Sequence, residues 1–107
     1  YLKSFTTQTP ADMAIKALED TTLVRLSATN MQKLFELQPK FMSIRNYYTE
    51  LSFMSNAQHG ADLAMLNAKQ RYDNFVQEKP DLLNRVPQYL IAAYLGIKPQ
   101  SLSRLRK

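Results

Sequence analysis

Apolar and polar positions follow two different rhythms along this chain, and the change falls at Ser27. Before it, residues 14–17 and 22–27 form short, β-branched-rich runs separated by Leu18, Glu19, Asp20 and Thr21, a pattern that predicts a hairpin or strand pair. Two strands alone do not make a stable sheet, so they are expected to belong to a larger β structure. After Ser27 the spacing is helical. Met31, Leu34, Phe35 and Leu37 give residues 28–37 one apolar face, with Ser27 or Thr29 as N-cap and Pro39 as the stop.

Residues 40–66 contain no proline and should form the long helix of the chain. Phe41, Ile44, Tyr48 and Leu51 recur at a 3, 4, 3 spacing, which makes one stripe. The stripe either faces the chain's own core or forms the seam of a two-stranded coiled coil, although two heptads fall short of a persuasive repeat. Met54, Ala57, Ala61 and Ala64 continue along the helix with small residues, and Gly60 predicts a bend or a close contact. His59, the single histidine, reads as a surface or packed residue rather than a ligand. Asn67 is a candidate N-cap for a further helix over residues 68–78, and residues 81–85 form a short link.

The last segment carries the most specific pattern. A helix-turn-helix needs a small residue where two helices touch, a glycine in the left-handed turn position, and apolar residues at fixed offsets around both. Ala92 and Gly96 meet the first two demands, and Ile91, Leu95, Ile97, Leu102 and Leu105 fill the apolar positions. Pro99 presets the first turn of the second helix. An ordinary αα-hairpin with a glycine turn would share several of these features. The second helix argues against it: the positions expected to be exposed, Gln100, Ser101, Ser103, Arg104, Arg106 and Lys107, are all hydrogen-bond donors and none is acidic. Such a surface suits base edges and phosphates.

Charge reinforces that picture. The formal net charge is +5, and residues 79–107 hold six Lys and Arg against the single acid Asp81, so everything before Lys79 sums to zero. Concentrated positive charge is the footprint of a polyanion binder. The 107 residues suffice for one modest core or two small half-domains, with no cysteine for a disulfide, a Cys-ligated zinc or an iron–sulfur cluster. No apolar run spans a bilayer and no signal peptide is visible, so a soluble, cytoplasmic protein is expected. There is no assembled nucleophile, base and orienter, no metal-ligand cluster and no glycine-rich phosphate loop; no enzyme, cofactor or metal is expected. Because the sequence opens on Tyr1 rather than Met, it is expected to be the later part of a longer protein.

The run RVPQYLIAAYLGIKPQSLSRLRK, residues 85–107, resembles the DNA-binding end of the Crp/Fnr family of transcription regulators, in the form common in Bacteroidetes-type bacteria. Upstream, RYDNFVQEKPDLLNRVP is similar to the helix and link that precede this element in the family, and ALEDTTLVRLS to the closing strands of its cyclic-nucleotide-binding β-roll. The resemblance covers essentially the whole chain, most weakly through the long helix. It implies a mainly α chain in three parts: residues 1–38, the end of a β-roll sensor with a short helix, most of the roll lying before Tyr1; residues 39–66, a dimerisation helix bearing Phe41, Ile44, Tyr48 and Leu51; and residues 67–107, a helix-turn-helix domain. It further implies that Pro99, Gln100, Ser101 and Arg104 read bases, while Lys98, Ser103, Arg106 and Lys107 contact phosphates.

Two positions depart from the family. Where its cyclic-nucleotide binders carry an arginine directly after Thr-Pro, Thr9 and Pro10 are followed by Ala11, and the Gly-Glu positions fall near Tyr1 and Leu2. A buried phosphate without a cation is costly, so cyclic AMP or cyclic GMP held in the family's way is not expected, and the small-molecule effector is left unassigned. Lys98 stands at the cap of the second helix, where many relatives have Thr; Lys cannot accept the orphan N–H bonds, and a DNA phosphate would compensate. The expected function is therefore a dimeric, sequence-specific regulator with duplex DNA, and through it RNA polymerase, as partners. The alternative is an interaction module that docks its basic helix on an acidic protein.

Overall fold

A computed structural model of the chain describes residues 2–107, and all of the regular secondary structure among them is helical. The elements are α1 (Leu2–Thr7), α2 (Ala28–Leu37), α3 (Lys40–Met65), α4 (Ala68–Glu78), α5 (Leu82–Arg85), α6 (Gln88–Tyr94) and α7 (Pro99–Leu105). They divide into two compact units, one reaching to Glu50 and the other Leu51–Lys107, with the boundary inside α3. No helix among the described residues is long and apolar enough to cross a membrane.

In the first unit the expected strand pair, and with it the β-roll remnant, is not formed: no strand occurs among the described residues. Residues 2–7 are instead a helix, and its hydroxyls bond nearby carbonyls. The Thr7 hydroxyl donates to the Lys3 carbonyl (2.8 Å) and the Ser4 hydroxyl to the Thr9 carbonyl (2.6 Å). Gln8, at φ 54°, ends the helix in the left-handed region, and Pro10 follows. Over residues 14–27 the β-branched and apolar side chains find no second layer: Ile15 is 91% exposed, Leu23 79% and Val24 98%. Strand propensity expresses itself only where a neighbouring strand accepts the ladder and a face is covered, and neither condition holds here.

Helix α2 starts where a serine cap is available. Ser27 Oγ accepts the Asn30 N–H at 3.2 Å, so Ser27 rather than Thr29 is the N-cap. Pro39 ends α2 and opens α3, its carbonyl accepting the Met42 N–H at 3.0 Å. Helix α3 runs unbroken through Gly60, where an added Cβ would meet no atom within 4 Å; the expected close contact is absent.

The second unit holds the core. Asn67 caps α4 with a full capping box: its side chain accepts from Gln70 N (3.0 Å) while Gln70 Oε1 accepts from Asn67 N (3.0 Å). Pro80 ends that helix, and the expected link beyond it is a single helical turn, α5, which sends Leu82 and Leu83 inward. Phe75 of α4, Ile91 and Ala92 of α6 with its C-cap Leu95, and Leu102 of α7 are the buried core, flanked by Tyr72, Leu82, Leu83, Val86 and Ile97.

Candidate nucleic-acid interface

The site is built on the turn between α6 and α7. Gly96 sits at φ 64°, a conformation that costs glycine little and any other residue more. Its N–H reaches the Ala93 carbonyl (3.1 Å) and the Ile97 N–H the Ala92 carbonyl (2.9 Å), the paired 5→2 and 6→1 bonds of a Schellman cap. The chain thereby turns within a few residues and delivers Lys98 to the start of α7. Ala92, at 0% exposure, lets the two helices approach, and Ile91 and Leu102, each at 1%, close the gap. Of the five apolar positions expected of the motif, Ile91, Leu95 and Leu102 are buried, Ile97 packs half-buried against them, and Leu105 is half-buried.

Helix α7 then sorts its residues by the helical period. Leu102 is buried, Leu105 and Ser101 are half-buried, and Pro99, Gln100, Ser103, Arg104, Arg106 and the following Lys107 lie exposed on the opposite arc. Ser101 is thus turned toward the core edge, unlike the fully exposed residue the sequence suggests. Gln100 and Arg104, four apart, share one side of the exposed arc. Ser103, Arg106 and Lys107 line a shallow depression with Pro99 and with Gln88 from the start of α6. Lys98 has extended backbone (φ −75°, ψ 148°) and provides no side-chain cap, while its carbonyl accepts from Ser101 N (2.9 Å) and Leu102 N (3.1 Å). Lys98, Arg104, Arg106 and Lys107 form no ion pair among the described residues. Three cations and several neutral donors on that arc, with Lys98 at the start of the helix, can engage an extended polyanion, each phosphate oxygen exchanging water for a charge-assisted bond.

Behind this arc lies a contact system that sequence reasoning missed. The Arg71 guanidinium donates from Nε to the Leu95 carbonyl (2.8 Å) and from another nitrogen to the Leu66 carbonyl. His59 stacks on Tyr94 with centroids 4.1 Å apart, and Phe75 lies tilted against the same ring at 5.7 Å. Lys79 Nζ sits 5.6 Å from the Tyr94 centroid and 3.4 Å from its hydroxyl. Partial burial works to lower the Lys79 pKa, but bonding and charge interaction with Tyr94 and Glu78 outweigh it and leave it raised, so this lysine stays cationic. Polar residues at helical spacing carry no signal for such pairings; only the tertiary fold brings Arg71 to Leu95, 24 positions away.

The remaining predicted positions lie apart from this interface. Phe41, Ile44, Tyr48 and Leu51 are all exposed on α3, by 40%, 44%, 63% and 43%, so the stripe does not serve the chain's own core. Thr9, Pro10 and Ala11 are exposed in the stretch after α1, with the Thr7 and Thr9 hydroxyls 2.6 Å apart. No group of three or more His, Cys, Asp or Glu positioned to hold a metal occurs among the described residues. No family model matches this chain, and neither a curated protein nor a solved structure does.

Proposed function

We propose that this chain is a sequence-specific, duplex-DNA-binding transcription regulator that reads the major groove with α7. The observation that carries the reading is the exposed arc of α7: Gln100 and Arg104 on one side, Ser103, Arg106 and Lys107 beside them, no acid among them, all mounted on a glycine turn and a buried core. The side-chain chemistry fits the groove, since Arg pairs bidentately with guanine and Gln with adenine. Ser101, half-buried, contributes less to the readout than Gln100 and Arg104, and Pro99 presents only apolar surface, suited to a thymine methyl. The resemblance of residues 85–107 to the Crp/Fnr DNA-binding end supports the same assignment.

The exposed α3 stripe supports a two-fold dimer, so that two copies of α7 address half-sites about one helical turn apart. A regulator of this kind works in the cytoplasm, with RNA polymerase as the partner it recruits or obstructs. Selection of duplexes from a randomised library tests the proposal: enrichment of a two-fold symmetric sequence is expected. Equal retention of all duplexes, together with tight binding of an acidic polypeptide, would favour protein docking instead.

A further inference from the structure

Arg71 stands on the first turns of α4, half-buried, where one planar group meets the ends of two other helices. Its Nε donates to the carbonyl of Leu95, the C-cap of α6, at 2.8 Å, and another guanidinium nitrogen to the carbonyl of Leu66, the residue after α3. The third nitrogen lies 3.9 Å from where a Cβ on Gly96 would stand. Asp62 and Glu78 line the same cleft, yet Arg71 forms no ion pair among the described residues; its donors go to carbonyls. Carbonyls at the end of a helix have no partner of their own, and they carry the negative end of the dipole. One rigid cation thus satisfies two helix ends at once, and the second of them is the residue before the Gly96 turn. Only two residues, Gly96 and Ile97, separate Leu95 from the Lys98 cap of α7.

We propose that Arg71 is a positioning residue for DNA readout, fixing the α6–α7 turn on the C-terminal end of α3 so that α7 is held in one orientation within the second unit. The inference rests on the DNA-binding reading above and adds to it the element that sets the pose of the reading helix. A specific site demands that several side chains meet base edges together, so a loosened α7 loses specific affinity; non-specific binding, which needs only cations near phosphates, does not. Lysine at this position keeps the charge but lacks the planar fork that spans both carbonyls.

The test uses the full 107-residue chain as wild type, Arg71→Lys and Arg71→Ala. Affinities for the selected duplex and for a scrambled duplex are measured at a temperature where circular dichroism reports each protein folded. Arg71→Lys should lower specific affinity roughly tenfold and leave scrambled-duplex affinity unchanged. Amide exchange should quicken at Gly96 and Ile97, whose N–H groups close the turn, but not at Leu102. Should Arg71→Ala fail to fold, Arg71→Lys alone decides. An unchanged ratio of the two affinities in folded Arg71→Lys overturns the proposal, as does an equal loss on both duplexes, which would make Arg71 a phosphate contact. A wild-type chain with no duplex preference sinks the DNA-binding reading instead, and the exchange rates at Gly96 and Ile97 then decide by themselves whether Arg71 holds the turn.

Discussion

The imidazole of His59 lies on the ring of Tyr94, centroids 4.1 Å apart and planes 16° from parallel. That stack joins the second half of α3 to the last residue of α6. Tyr94 has further partners, Phe75 at 5.7 Å and Lys79 over its face, whereas its ring is the sole aromatic partner of His59 among the described residues. Tyr94→Ala should therefore destabilise the second unit by about 2–3 kcal/mol and His59→Ala by about 1 kcal/mol. Urea unfolding of both variants and of the double variant checks this. Strictly additive losses would mean that the stack contributes nothing of its own.

The two glycines should respond to alanine with opposite signs. Gly60 lies in regular helix, and a Cβ there meets nothing within 4 Å. Gly60→Ala should stabilise by about 0.5–1 kcal/mol through helix propensity and lost unfolded-state entropy. At Gly96 the backbone has φ 64°, and a Cβ would come within 2.9 Å of Leu63 Cδ2. The methyl end of a leucine can swing aside, but the backbone angle cannot relax without opening the Schellman cap. Gly96→Ala should cost about 1–2 kcal/mol, read as a lower denaturant midpoint with an unchanged slope.

How much of this was legible in the sequence depended on whether the deciding interaction was local. Ser27, Pro39, Asn67, Pro80 and Gly96 act on their own neighbours within a few residues, and the boundaries of α2, α3, α4 and the α6–α7 turn follow from them. Ile91, Ala92, Leu95 and Leu102 are buried where apolar periodicity puts them. Residues 14–17 and 22–27 form no strands because strand formation depends on a partner strand, which no run of β-branched residues supplies for itself. The helix at Leu2–Thr7 gives no signal in the sequence for a complementary reason: its segment has no apolar periodicity, and it buries no residue. Arg71 was invisible because an arginine on a helix ordinarily reads as solvated surface.

Exposure of the α3 stripe gives the dimer proposal a clean test. Phe41, Ile44, Tyr48 and Leu51 are each at least 40% exposed, so charged replacements there disturb little of the chain's own packing. Ile44→Glu combined with Leu51→Glu should leave the helical signal and the unfolding of the second unit intact, yet shift sedimentation from dimer to monomer at micromolar concentration. Two carboxylates per chain facing their copies across a seam would repel as well as forfeit apolar burial. Wild-type protein that already sediments as a monomer would remove the dimer from the proposal.

Readout by α7 makes separate demands on its two sets of side chains. Gln100 and Arg104 share one side of the exposed arc, so each should govern preference at one or two base pairs of a half-site. Gln100→Ala or Arg104→Ala should cost about 1–3 kcal/mol on the selected duplex and relax preference locally, with Gln100→Ala changing non-specific affinity least because it removes no charge. Lys98 and Arg106 contribute charge, and neither is engaged in an ion pair among the described residues. Lys98→Ala or Arg106→Ala should weaken all duplexes by similar factors and reduce the slope of log affinity against log salt by about one. Titrations at several salt concentrations against the selected and scrambled duplexes separate the two behaviours. If Arg104→Ala kept both the affinity and the base preference of the wild type, α7 would not be the element in the groove, because no other exposed cation of that helix shares a side with Gln100 at the i, i+4 spacing.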